Sequence, residues 1–187
     1  MRLADAPAEL QAKVQRLRNQ DRECPAQIEA AGPSQESVWD YPRPPRVEAV
    51  RRRVRVAFGG LTLAESTSAY RVLETSGPPV YYMPPRDVRT GHLEPSDHEA
   101  LCEWKGRARY WSVRVGERFA EDAAWSYPDP WDGFEAIRNH IAFNAGVMDA
   151  CYVGSDRVTP QPGAYYGGWI TPEVVGPFKG VPGSERW

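Results

Sequence analysis

Polar and apolar side chains alternate with a period of two through Arg53-Val54-Arg55-Val56-Ala57-Phe58, the pattern of a strand with one face buried and one in water. Gly59-Gly60 follows, a pair suited to the positive backbone angles of a tight hairpin, and Leu61-Thr62-Leu63-Ala64 reads as the return strand. Further strands are predicted at 70–74, 80–83, 108–115, 123–127 and 150–153, the last ending in a Gly154-Ser155-Asp156 turn. Short strands punctuated by Pro and Gly point to antiparallel rather than parallel sheets. Two stretches carry a helical period instead. Residues 8–18 place Leu10, Val14 and Leu17 on one face among charged residues, predicting an amphipathic helix of about three turns. After Pro130, the residues Phe134, Ile137 and Ile141 recur at helical spacing, with Asp132 as a candidate N-cap. The expected class is mainly β, a β-rich α+β fold of small antiparallel sheets, with one short helix inside the domain and another at the N-terminus.

At 187 residues the chain suits one domain with an extension. It divides into an N-terminal amphipathic helix (1–22), a Pro-rich linker (23–46), a β-rich core domain (47–159) and a Pro/Gly-rich wrapping tail (160–187) in which Trp169 and Phe178 are the expected anchors. The helix either docks on its own domain or frays, or else serves dimerisation or a partner. A net charge of −2 lacks the basic footprint of a dedicated nucleic-acid binder. No apolar run is long enough to cross a bilayer, and the start Met1-Arg2-Leu3-Ala4-Asp5 lacks the stretch of a secretory signal, so a cytoplasmic location and no membrane partner are expected. Cys24, Cys102 and Cys151 are odd in number and far apart, with no Cys-x-x-Cys pair, so neither a disulfide framework nor a structural zinc is expected. His92 and His98 fall in a polar, Pro-punctuated segment read as a loop, and His140 ends the Phe134 segment. They make no metal-ligand spacing. Glu117, Glu121 and Asp122 read as a solvated acidic loop, and no glycine-rich phosphate loop or cofactor motif stands out.

The densest chemistry lies in Arg71-Val72-Leu73-Glu74-Thr75-Ser76-Gly77-Pro78-Pro79-Val80-Tyr81-Tyr82-Met83-Pro84-Pro85 and in Cys102-Glu103-Trp104-Lys105-Gly106. An ordinary strand-rich core needs alternating apolar residues and turn formers, not an Arg, two Glu, a Lys and a Cys threaded among them. In an extended chain Arg71 and Glu74 face opposite ways unless a bulge intervenes, so they are either two parts of one site or separate surface charges. Glu74 is the candidate general acid or base, in surroundings provided by Tyr81, Tyr82 and Trp111. Arg71 has the planar fork that suits a carboxylate or phosphate, and Lys105 either joins it on an anion or pairs with Glu103. Cys102 is either a nucleophile or redox thiol, or a small buried apolar residue. The Tyr165-Tyr166-Gly167-Gly168-Trp169 run has the look of a stacking platform.

These blocks, with Tyr110-Trp111-Ser112-Val113, Ala124-Trp125-Ser126-Tyr127-Pro128, Asp149-Ala150-Cys151, Pro160-Gln161-Pro162-Gly163, Tyr166-Gly167-Gly168-Trp169-Ile170-Thr171 and Gly176-Pro177-Phe178-Lys179-Gly180, resemble the bacterial domain-of-unknown-function family 427 over residues 47–179. The resemblance implies a small, mostly antiparallel β fold similar to the Mss4 and methionine sulfoxide reductase B group. It also carries a nucleotidyltransferase label, whose chemistry would need a Gly-Ser pair followed by paired aspartates; this chain has none. Gly77 stands where many members carry His before the Pro78-Pro79 pair. Two functions are therefore expected as alternatives. One is a small-molecule pocket lined by Arg71, Glu74, Tyr82, Cys102, Lys105 and Trp111, binding or acting on a small anionic metabolite. The other is a non-catalytic interaction or homo-oligomerisation protein working through the N-terminal helix and the aromatic tail.

Overall fold

Val54, Val56 and Phe58 point into the core while Arg55 and Ala57 are less protected, the outcome that a period of two dictates. Both glycines of the following turn have positive φ, 60° and 78°, and they close a two-residue hairpin between Phe58 and Leu61. The computed structural model describes residues 2–163 and 165–187; Met1, the first residue of the start discussed above, and Ala164 lie outside the described residues.

In chain order the strands are β1 (Glu36–Ser37), β2 (Arg46–Ala49), β3 (Val54–Phe58), β4 (Leu61–Ser66), β5 (Tyr70–Glu74), β6 (Gly77–Tyr82), β7 (Leu93–Cys102), β8 (Gly106–Val115), β9 (Arg118–Ser126), β10 (Ile141–Phe143), β11 (Ala150–Val153), β12 (Asp156–Arg157), β13 (Thr159–Pro160), β14 (Trp169–Ile170) and β15 (Val174–Val175). They form two four-stranded sheets, β10-β9-β8-β7 and β12-β11-β3-β4, a three-stranded sheet β2-β5-β6, and two short pairs, β13-β14 and the parallel β1-β15. The fold is mainly β with small antiparallel sheets, as the alternation predicts.

β7 is the largest departure, because the polar segment holding His98 is a strand and not a loop. It lies at the edge of its sheet, where Pro95 forfeits no ladder bond on the open side and where Glu94, Glu99 and His98 can stay in water. The second expected helix is short, one 3-10 turn at Glu135–Ile137. Positive φ at Gly133 and Asn139 bends the backbone on both sides, so Ile137 ends the turn buried and Ile141 begins β10. Asp132 does not cap this turn; the Glu135 carboxylate accepts from the Gly133 N–H instead.

The N-terminal helix α1 spans Ala8–Arg18, the residues that its period predicts, and Val14 on its apolar stripe is fully buried. Arg18 docks it: the guanidinium lies 4.7 Å from the centre of the Trp104 ring and 5.8 Å from that of Trp131, and Nε donates to the Glu103 carbonyl at 2.8 Å. Residues 23–46 run along the domain, with Val38 and Tyr41 buried beside Leu73 and Val174.

Two larger cores lie on opposite faces of the β10-β9-β8-β7 sheet. One joins Val113, Ala124 and Phe143 to Val56, Phe58, Leu63 and Trp169. The other joins Ala108, Tyr127, Ile137 and Ala142 to Val72 and Tyr82 of the β5-β6 hairpin. That second face carries the chemistry.

Candidate functional site

Cys102 pairs with Gly106 across the β7-β8 hairpin, so Glu103, Trp104 and Lys105 are its three-residue loop. A loop does not alternate, and the expected division into a Cys102-Trp104 face and a Glu103-Lys105 face is corrected accordingly. The loop folds Lys105 inward, leaving it 8% exposed, with Nζ 3.3 Å from Glu74 Oε2 at the end of β5. Around this ammonium stand Cys102, Tyr127 and Tyr82. Burial by itself pulls the Lys105 pKa down, but Cys102 and Glu74 outweigh it and hold the group well above its usual value. Lys105 is therefore the cation of an ion pair with Glu74.

The phenols are held neutral. Burial pushes Tyr82 up to about 12, and its hydroxyl accepts from Trp125 Nε1 at 3.3 Å; burial likewise raises Tyr127. A cation, two phenols and one carboxylate thus face each other on the protected side of the sheet, and Tyr110 and Trp125 continue the surface away from Lys105.

Above Glu74 and Glu103 the chain adds a second, more open layer of cations. Arg22 and Arg43 both reach Glu103 Oε1, at 3.3 and 3.4 Å. Burial lowers the pKa of Lys179, and Arg22 and Arg43 lower it further against the opposing pull of Glu74 and Glu103. A cleft of about 380 Å³ borders Arg22 and Lys179, with Asp21, Glu185 and Trp187 also in its lining; both cations donate to the Trp187 carbonyl there, and neither Glu74 nor Lys105 lines it. From the tail, Gly167 and Gly168 press on the site's flank. A Cβ on Gly167 would stand 2.3 Å from Trp125, and one on Gly168 would stand 2.6 Å from Pro78.

Two expected lining residues are elsewhere. Arg71 does not meet Lys105: the strand alternation puts it with Leu73 on the other face of β5, where its guanidinium donates to Glu36 and, at 2.8 Å, to Glu48. The bulge between Val72 and Glu74 does not reunite Arg71 with Glu74. Trp111 lies on the opposite face of β8 from Tyr110, donates to Ser126 Oγ at 3.0 Å, and lines a separate cleft of about 300 Å³ with Leu93, Arg109 and Ile141. Tyr81 also faces the first core, against Trp169 at 5.0 Å. Glu74, Tyr82, Cys102 and Lys105 do come together. The rim of Arg22, Arg43 and Lys179 escaped the sequence, since none shares a motif with the cassette. Trp169 is fully buried, which removes it from any stacking platform, whereas Tyr165 is 78% exposed.

A family model described as a domain of unknown function (DUF427) matches residues 46–154. The chain belongs to this family. No curated protein matches it significantly. Glu74, Tyr82, Cys102, Lys105 and Tyr127 all lie within the DUF427 region, and the cationic rim of Arg22, Arg43 and Lys179 lies outside it, contributed by the segments on either side. No helix among the described residues is long and apolar enough to cross a membrane.

Proposed function

We propose that this DUF427 protein is a cytoplasmic small-molecule protein that binds or acts on a small anionic metabolite at the Lys105 site. The observation that carries the reading is a buried, charged ammonium whose carboxylate partner, Glu74, is itself partly open to solvent, its side chain 31% exposed. A buried cation with a displaceable partner suits an incoming carboxylate or phosphate, which takes over the ion pair while the Tyr82 and Tyr127 hydroxyls serve its oxygens. Arg22, paired with Glu103, and Lys179 add positive charge nearby, both donating to the Trp187 carbonyl. Glu74, released from Lys105, is the group able to exchange a proton with the ligand, and Cys102 is the thiol beside it.

The test is thermal unfolding with inorganic phosphate, dicarboxylates, sugar phosphates and nucleoside monophosphates, because a ligand that binds only the folded state raises the midpoint. A rise with one or more of these anions that is absent in Lys105→Met, and reduced in the rim variant Lys179→Ala, is expected. A native protein indifferent to the whole panel would overturn the proposal. Concentration-dependent self-association lost on deleting residues 1–40 would favour the interaction reading.

A further inference from the structure

Two irregularities in the β10-β9-β8-β7 sheet fall at the same level. Between the pairs Pro95↔Trp111 and Glu99↔Arg109, β7 advances four residues against two of β8. Between Trp111↔Ala124 and Val113↔Ala120, β9 also advances four residues against two of β8. The two strands that flank β8 therefore both bulge beside its residues 109–113. Strands on either side of a third are held roughly 9–10 Å apart, too far for ordinary side-chain pairing. The bulges close this gap: His98 Nδ1 lies 2.8 Å from Asp122 Oδ2 across the top of β8. The imidazole stacks on Tyr110, ring centres 4.3 Å apart and planes 9° from parallel.

Each member is fixed by further contacts. Asp122 takes a positive φ of 48° and donates its N–H to Ser112 Oγ, and hydrogen bonds from Ser96 foremost, then His98, hold its carboxyl below the usual range against the opposing effect of burial. The His98 N–H donates to Ser96 Oγ at 3.0 Å. In a neutral imidazole, a carboxylate on Nδ1 places the proton there and leaves Nε2 with its lone pair. Nε2 has no hydrogen-bond partner among the described residues, and the His98 side chain is 51% exposed. His98 lies on the Tyr110 side of the sheet, the side of Cys102, Trp125 and Lys105. From the level of His98 to that of Cys102 is four residues of β7, about 13 Å at roughly 3.3 Å per residue.

We propose that His98, oriented by Asp122, is a general base for substrate bound along the Tyr110 surface. The step is a proton transfer: the O–H bond of a substrate hydroxyl or of water breaks, the oxygen keeps the electron pair, and the proton joins Nε2. The imidazolium stands beside the Asp122 carboxylate until it returns the proton to product. Asp122 is the positioning residue. Paired bulges that re-aim two side chains are a sheet's means of building such a constellation without a loop. The proposal rests on the Lys105 reading only for the substrate's anionic end.

The test uses the full chain and two esters, neutral 4-nitrophenyl acetate and the anionic 4-nitrophenyl succinate monoester. Water deprotonated by Nε2 attacks the carbonyl, 4-nitrophenolate leaves, and acid is released. His98→Gln is expected to lower kcat/KM for both esters by at least about tenfold, and His92→Gln and His140→Gln to leave it unchanged. Long-range ¹H–¹⁵N spectra of the native protein are expected to show neutral His98 protonated at Nδ1, a bias lost in Asp122→Asn and restored in Asp122→Glu. Hydrolysis indifferent to His98→Gln, or a His98 protonated at Nε2, would overturn the proposal. Preference for the anionic ester, abolished by Lys105→Met, reads the pocket separately: His98-dependent hydrolysis without that preference upholds the base and overturns the anion site.

Discussion

Arg71 donates to Glu36 and Glu48 at once, so one guanidinium ties β1 and β2 to β5 across 35 and 23 residues of chain. Burial lowers the Arg71 pKa, but the two carboxylates more than reverse this and hold it above the ordinary value. For Glu48 burial pushes upward, and the hydrogen bonds from Arg71 overcome it and leave its pKa depressed. A carboxyl whose folded pKa is depressed binds fewer protons folded than unfolded. Its stabilisation is thus complete above the ordinary value of 4.5 and is lost as pH falls through the folded value. Urea unfolding at pH 7 and at pH 3.5 is expected to show this loss, and Arg71→Met is expected to flatten it. At pH 7 the substitution should cost about 2 kcal/mol, well below a fully buried pair because the side chains remain about a quarter to a third exposed. An unchanged pH dependence in the variant would remove Arg71 from this role. At the same scale burial raises the Cys151 thiol to about 12, and the side chain packs as a small apolar residue in the first core.

Among the elements, the tail strand β14 and the two glycines before it decide how closely the tail approaches the site. Gly168 donates to Gln161 Oε1 at 3.0 Å, and Gln161 Nε2 donates to the Lys179 carbonyl at 2.8 Å, so one side chain braces both ends of the strap. Gly167 lies over Trp125, the ring that donates to Tyr82. Gly167→Ala would set a methyl into that ring and must lift the strap, at a cost of about 1–3 kcal/mol. The expected readout is a lower unfolding midpoint with an altered Trp125 environment in near-ultraviolet circular dichroism. Native stability in this variant would mean that the strap yields freely. The β7-β8 hairpin makes a similar point, because its loop turns Lys105 inward to Glu74 while Glu103 and Trp104 both meet Arg18.

Across the whole molecule, the segments outside the family region are built into it. The Ser76 N–H donates to the Val38 carbonyl, the Ser76 carbonyl accepts from Lys179, and Thr75 Oγ1 donates to the Tyr41 carbonyl, so the β5-β6 turn clamps both the N-terminal segment and the tail. Trp169 inserts fully between the sheets, with Nε1 donating to the Phe143 carbonyl at 2.9 Å. Trp169→Ala is expected to destabilise the protein by about 3–5 kcal/mol, measured by chemical denaturation, although the residue lies beyond the family match. A cost below about 1 kcal/mol would show that the domain stands without its tail.

Local patterns were sufficient where backbone period and burial agree: β5, β11 and α1 lie where the period of two or of 3.6 predicts them, and the Gly59-Gly60 hairpin follows from two residues that tolerate positive φ. The proximity of Glu74, Tyr82, Cys102 and Lys105 was legible as density of chemistry in two short blocks. β7 was not, because an edge strand with its outer face in water needs no apolar alternation, and neither was the orientation of the Cys102–Gly106 hairpin, whose loop cancels the strand rule. Arg71 and Trp111 went to other faces for a reason the composition does not carry, namely which partner strand each face meets. His98 and Asp122 come from strands separated by a third and meet only through two bulges, each a change of register between chains. Local steric preference and hydrophobic period are properties of the sequence alone, whereas register, facing and the closing of long loops are settled by the packing of one element on another.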